Sequence, residues 1–185
     1  MNLGETMKSK CYMLVSTLFL FACAPQQFDQ FISTSTINKE EIAWSRGEGK
    51  TRIQGNSFIV DRLGLNGTTH TCVGYEASLI PKSNLVEEYL NYLFPNLEES
   101  FWNLKGSIPF KKMDENIDAG ARRSKCDING NFEFTNIPNG TYYLLTTIYY
   151  IGGPLRTIPP DYKGGILLKK VIVNNQVEMR VVVSK

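Results

Sequence analysis

Apolar and polar residues alternate with a period of two in several short runs of this chain, and that period is what most limits its fold. Val73, Tyr75, Ala77 and Leu79 alternate with Gly74, Glu76 and Ser78. Phe132 and Phe134 alternate with Glu133 and Thr135, and Val177, Met179, Val181 and Val183 alternate with Glu178, Arg180 and Ser184. Successive side chains of a strand point to opposite faces, so each run reads as a strand with one buried face. Tyr142 to Ile151 is aromatic and β-branched on both faces, as a central strand requires. Asn66-Gly67, Asn129-Gly130, Asn139-Gly140, Gly152-Gly153 and Gly164-Gly165 separate the runs as turns. Short strands at this spacing predict an all-β sandwich of about seven strands.

One segment departs from the pattern. Leu85, Val86, Tyr89, Leu90 and Leu93 recur at helical spacing behind Ser83, which suits an N-cap. Pro95 interrupts, and Leu97, Phe101 and Leu104 resume the spacing. The reading is one or two short helices over 84–104, followed by a charged loop over 106–123, so that 82–123 forms an insert between strands.

The N-terminus carries an address. Lys8 and Lys10 precede a twelve-residue apolar stretch from Cys11 to Ala22, well short of the roughly 20 residues of a spanning helix. Met7-Lys8-Ser9-Lys10 is the better start for such a leader. Leu20-Phe21-Ala22-Cys23 resembles a bacterial lipobox, with Phe21 departing from the usual small or β-branched residue. The resemblance implies a signal peptide over 1–22 and lipidation of Cys23. Two or three acyl chains would anchor firmly, at about 0.8 kcal/mol per buried methylene. Ala24 stands where lipoproteins kept at the inner membrane carry Asp, which implies the outer membrane. The other reading is an ordinary cleaved signal and a soluble product. Residues 23–43 are mostly polar and read as a tether, or as a short partner-binding segment through Phe28 and Phe31.

Removing residues 1–22 takes Lys8, Lys10 and Glu5 from the 20 basic and 18 acidic residues, which leaves a formal charge of +1. That balance supplies no nucleic-acid footprint, which needs a basic face or stripe. Arg122-Arg123-Ser124-Lys125 reads as part of a solvated loop. About 160 remaining residues suit one domain over 44–185. With Cys11 removed and Cys23 lipidated, Cys72 and Cys126 remain in an oxidising compartment, where a pair tends to bridge. Two separate buried thiols are the alternative. A metal site has little to draw on, with His70 the single histidine and no Cys-x-x-Cys, and no cofactor motif occurs.

The stretch Cys126-Asp127-Ile128-Asn129-Gly130-Asn131-Phe132-Glu133-Phe134, continuing through Pro138, Gly140 and Tyr142, resembles the pattern of carboxypeptidase regulatory-like domains. Those are transthyretin-like (prealbumin-like) Greek-key β-sandwiches. Asp127 would accept backbone amides of a turn, Gly130 would supply positive φ, and Pro138 with Gly140 would make the next turn. Asp127-x-Asn129-x-Asn131 also has the oxygen spacing that opens a calcium loop, but Glu133 falls on a strand between two aromatics, and turn chemistry fits better.

These features combine into a non-catalytic reading. The chain is expected to be an envelope lipoprotein, with a structural or accessory role through protein contacts in a multi-protein envelope or secretion assembly. Phe101, Trp102 and Phe110 of the insert are the candidate partner-binding residues. The competing reading is a carbohydrate-binding module at the cell surface, with a stacking platform drawn from Tyr142, Tyr143, Tyr149, Tyr150, Phe101 and Trp102.

Overall fold

The computed structural model describes residues 38–62, 67–103, 117, 120–152 and 161–185. Cys23, Phe110, the leader and most of the expected tether lie outside them. Strand β1 (Thr51–Asp61) organises the first sheet, sheet A. Its eleven residues are enough to take two neighbours in succession along one edge. Strand β6 (Asn131–Ile137) pairs antiparallel from Thr51 to Asn56, and β2 (Thr68–Thr71) pairs from Phe58 to Asp61. The other edge carries β9 (Glu178–Ser184), which runs parallel from Arg52↔Glu178 to Phe58↔Ser184.

Sheet B is antiparallel throughout, in the order β4 (Glu99–Asn103), β8 (Tyr162–Val173), β7 (Gly140–Ile151), β3 (Glu76–Pro81), β5 (Arg122–Lys125). The two sheets pack face to face. Ile53 and Val183 of sheet A, with Phe132 and Phe134, meet Leu79, Tyr142, Leu144 and Ile148 of sheet B. A buried polar pair, Ser57 Oγ and Thr146 Oγ1 at 2.6 Å, bridges the same interior and satisfies both hydroxyls.

A third layer covers the back of sheet B. Helix α1 (Asn84–Leu93) is capped by Ser83, whose Oγ accepts the Val86 N–H at 3.2 Å. Its buried Leu85, Val86 and Leu90, followed by Phe94, close over Ile80, Tyr143, Leu145 and Leu168. Sheet B is therefore apolar on both faces, which is why β7 reads as aromatic and β-branched without alternation. The result is an all-β sandwich with a short helical insertion.

Nine strands occur among the described residues, against about seven expected, and both additions come from the segment read as an insert. Glu99–Asn103 is strand β4, not a second helix. Its Phe101 packs toward the inter-sheet core and Trp102 toward the helix layer, so both faces are apolar and the period of two disappears. Arg122–Lys125 is strand β5, not a loop, and it pairs with Glu76–Leu79. An edge strand with solvent on one side can be wholly polar, and charge there also discourages pairing with foreign strands. The insert thus supplies both edges of sheet B. Val73 and Tyr75 lie in the turn before β3 and are 50% and 37% exposed, so the alternation is realised only from Ala77. At the other boundary Ile42 is buried at 2%, and the 3-10 turn Ala43–Arg46 follows it, so the end of the expected tether belongs to the folded body.

Candidate functional site: the outer face of sheet A

The face of sheet A turned away from the core is built by alternation. Arg52, Gln54 and Asn56 project from β1, Asn131 and Glu133 from β6, and Arg180 and Val182 from β9. Register sets them in rows: Arg180, Gln54 and Glu133 form one, and Val182, Asn56 and Asn131 the next. Six of these, all but Arg52, line an open concavity of about 690 Å³ together with Ser124, Lys125 and Asp127.

The polar groups hold one another in place. Arg52 Nη2 donates to Glu133 Oε2 at 2.5 Å. That hydrogen bond is the main cause holding the Glu133 carboxyl below its ordinary range, and it raises the guanidinium in turn. In one amide orientation Gln54 donates to Glu133 at 3.3 Å. Rotated, it donates to Glu178 Oε1 at 2.9 Å and accepts from Arg52 at 3.2 Å. The second orientation satisfies both amide atoms and is the better assignment. In the next row Asn56 Nδ2 donates to Asn131 Oδ1 at 2.9 Å and to the Asn129 carbonyl at 2.8 Å.

The rim of the concavity is the turn that the sequence singles out. Asp127 Oδ1 accepts the N–H groups of Asn129 and Asn131, each at 2.8 Å, and Oδ2 accepts Asn131 Nδ2 at 2.9 Å. The Asn131 side chain, then its backbone amide, hold the Asp127 carboxyl below its usual range. Gly130 sits at φ +78°, and a Cβ there would lie 2.6 Å from the Ser57 carbonyl oxygen. At the next turn Tyr142 donates its hydroxyl to the Pro138 carbonyl at 3.0 Å. Burial pushes that phenol up to about 12. Gly140 (φ +152°) makes room for Trp44, whose ring would come within 2.1 Å of a Cβ.

Cys72 and Cys126 form a disulfide with Cα atoms 5.7 Å apart. It joins the end of β2 in sheet A to the corner where the chain passes from β5 to β6. The candidate aromatics are dispersed by the fold. Tyr142 and Tyr143 are both 1% exposed and have no face left for stacking. Phe101 and Trp102 are half-buried against different cores, and Tyr149 packs beside Trp102's cluster. Tyr150 stacks on His70 at 3.6 Å between ring centroids, so a ring on β2 of sheet A rests against one on β7 of sheet B. Among the described residues no group of three or more His, Cys, Asp or Glu is arranged to hold a metal ion.

Arg52, Gln54, Asn56 and Arg180 were not singled out by sequence. Arg52, Gln54 and Asn56 do recur at every second position of β1, but nothing local says that β6 and β9, from distant parts of the chain, will flank them. What the rows can do chemically is present fixed donors and acceptors across a concave surface, which suits recognition of a polyhydroxylated or polar ligand.

No family model matches the chain, and no curated protein matches it. Among solved structures it is similar to a Pseudomonas aeruginosa protein described as a "putative carbohydrate binding protein". The two share 19% identity with a TM-score of 0.61, over 82% of this chain and 99% of that one. At this identity the likeness is one of fold.

Proposed function

We propose that this chain is a non-catalytic binding module of the bacterial cell envelope, tethered by lipid on Cys23 at the outer membrane, that binds carbohydrate on the outer face of sheet A. The observation that carries the reading is the concave array of Gln54, Asn56, Asn131 and Arg180, with side chains held in rows by register. Amides and guanidinium groups held this way match sugar hydroxyls, which donate and accept at once. The description of the structural neighbour supports the same ligand class, and the motif from Cys126 to Tyr142 supports a carboxypeptidase regulatory-like domain. A glycan array followed by calorimetry tests the ligand. Gln54→Ala with Asn56→Ala should weaken binding by about tenfold or more, as loss of two hydrogen bonds near 1 kcal/mol each implies. Unchanged binding by a folded double variant would refute this site. The anchor is tested apart: Cys23→Ser should abolish metabolic lipid labelling.

A second reading, an accessory role through protein contacts, is favoured by an apolar tip. Val73 (50% exposed), Tyr75 (37%) and Ile128 (79%) lie on two turns joined by the disulfide. Native co-purification that depends on Ile128 and Tyr75, with no glycan bound, would favour it.

A further inference from the structure

The charges around the concavity are unevenly used. The carboxylates that line it, Asp127 and Glu133, and Glu178 beside it already have fixed partners. Glu133 is bonded to Arg52, Glu178 receives the Gln54 amide, and Asp127 is occupied by the amides of its own turn. Two cations on the same surface are different. Among the described residues no ion pair or hydrogen bond involves the side chains of Arg180 and Lys125, and both are exposed. A surface whose acids are spent internally and whose bases are not offers a ligand mainly donors and positive charge.

Resting on the carbohydrate reading above, we propose that the ligand is an acidic oligosaccharide, its carboxylates met by Arg180 on one rim and Lys125 on the other, its hydroxyls by Gln54, Asn56 and Asn131 between them. Arg180 stands on β9 and Lys125 on β5 of the other sheet, which meets β6 where the Glu133 N–H donates to Ser124 Oγ at 3.0 Å, so β1 and β6 come between the two cations. Strands lie about 4.8 Å apart, so the two cations are on the order of 10 Å or more from each other. One monosaccharide does not reach both, and a chain of several residues with repeated carboxylates does. The guanidinium of Arg180 can take a carboxylate through two parallel hydrogen bonds, whereas the Lys125 ammonium acts as a point charge. Contacts of this kind at an open surface are screened by salt, so binding has to weaken as ionic strength rises.

The test uses the full chain with oligogalacturonate and with its methyl-esterified counterpart, which keeps the sugar hydroxyls and loses the carboxylate charge. Calorimetry at low salt should show the acidic form binding at least about tenfold more tightly, with the difference shrinking in high salt. Lys125→Gln should reduce affinity for the acidic form and leave the esterified form and the melting temperature unchanged, and Arg180→Gln should reduce affinity for the acidic form by a larger factor than for the esterified one. Equal binding of both forms, or an acidic preference that survives both substitutions, overturns this inference and leaves the carbohydrate reading standing. No binding of either form, with none on a broader glycan array, overturns both.

Discussion

At the scale of single residues, the turn from Asp127 to Asn131 shows how local chemistry builds a rim. One carboxylate takes up three donors of the turn, and Gly130 allows the chain to pass close to β1, where its carbonyl accepts the Ser57 N–H. Gly130→Ala should destabilise by about 1–3 kcal/mol, because a methyl group would be forced into a left-handed backbone and against a carbonyl oxygen. Urea unfolding measures this, and a loss below about 0.5 kcal/mol would show that the turn relaxes without strain. This part of the molecule was readable in advance. The Asp-x-x-Gly spacing before a strand suits a tight turn, and the bonds that Asp127 makes are all within residues 127–131, whereas the approach of Gly130 to β1 is set by the tertiary fold.

At the scale of elements, what could be read depended on whether an element faces one environment or two. Strand β6 and the end of β9 have one wet and one dry face, and their period of two is plain. Strand β4 lies between two apolar layers, and its Phe101 falls into a helical spacing with Leu97 and Leu104 by coincidence. Strand β5 is polar throughout because pairing along one edge of β3, not burial, defines it. The concave site was illegible for a related reason. Its rows exist only once β6 and β9 meet β1. Phe101→Ala and Trp102→Ala should each cost about 2 kcal/mol, less than the 3–5 of a fully buried aromatic, because both are half-buried. A variant with unchanged melting and lost partner recovery would instead make either residue a contact.

The helix layer has its own pH response. Burial pushes the Glu87 carboxyl up, but hydrogen bonds from Tyr143, at 2.6 Å, and from Lys82 outweigh it and hold Glu87 below its ordinary range. A carboxyl depressed in the folded state contributes stability that is present above its unfolded pKa and is lost as pH falls through the folded one. Melting temperature should therefore decline below the usual carboxylate range, and less steeply in Tyr143→Phe. An identical acid limb in both proteins would rule out this pair as a source.

Across the whole molecule, the disulfide ties the end of β2 in sheet A to the corner between β5 of sheet B and β6 of sheet A, adding a covalent link to packing and a few hydrogen bonds between the sheets. Cys72 and Cys126 are 54 residues apart, and closing such a loop contributes about 4 kcal/mol in the chain-entropy description. Reductant should lower the melting temperature, and replacing both cysteines with Ala should do the same without reductant. Equal melting of oxidised and reduced protein would mean that packing alone holds the corner.

The parallel pairing of β1 with β9 bears on how the folded body would carry tension. The chain enters β1 at Thr51 and leaves β9 after Ser184, at opposite ends of the paired stretch. A pull between these points drags the strands lengthwise past each other, so the backbone bonds joining them have to fail together. A pull between Gly140 and Val173, which face each other across β7 and β8, peels bonds apart one after another. Single-molecule stretching should show a higher rupture force for the first geometry, since forced unfolding is governed by the unfolding rate along the loaded path. Equal forces would remove that mechanical advantage. With it, a module held on its N-terminal side and loaded near the end of β9 would keep its grip under drag.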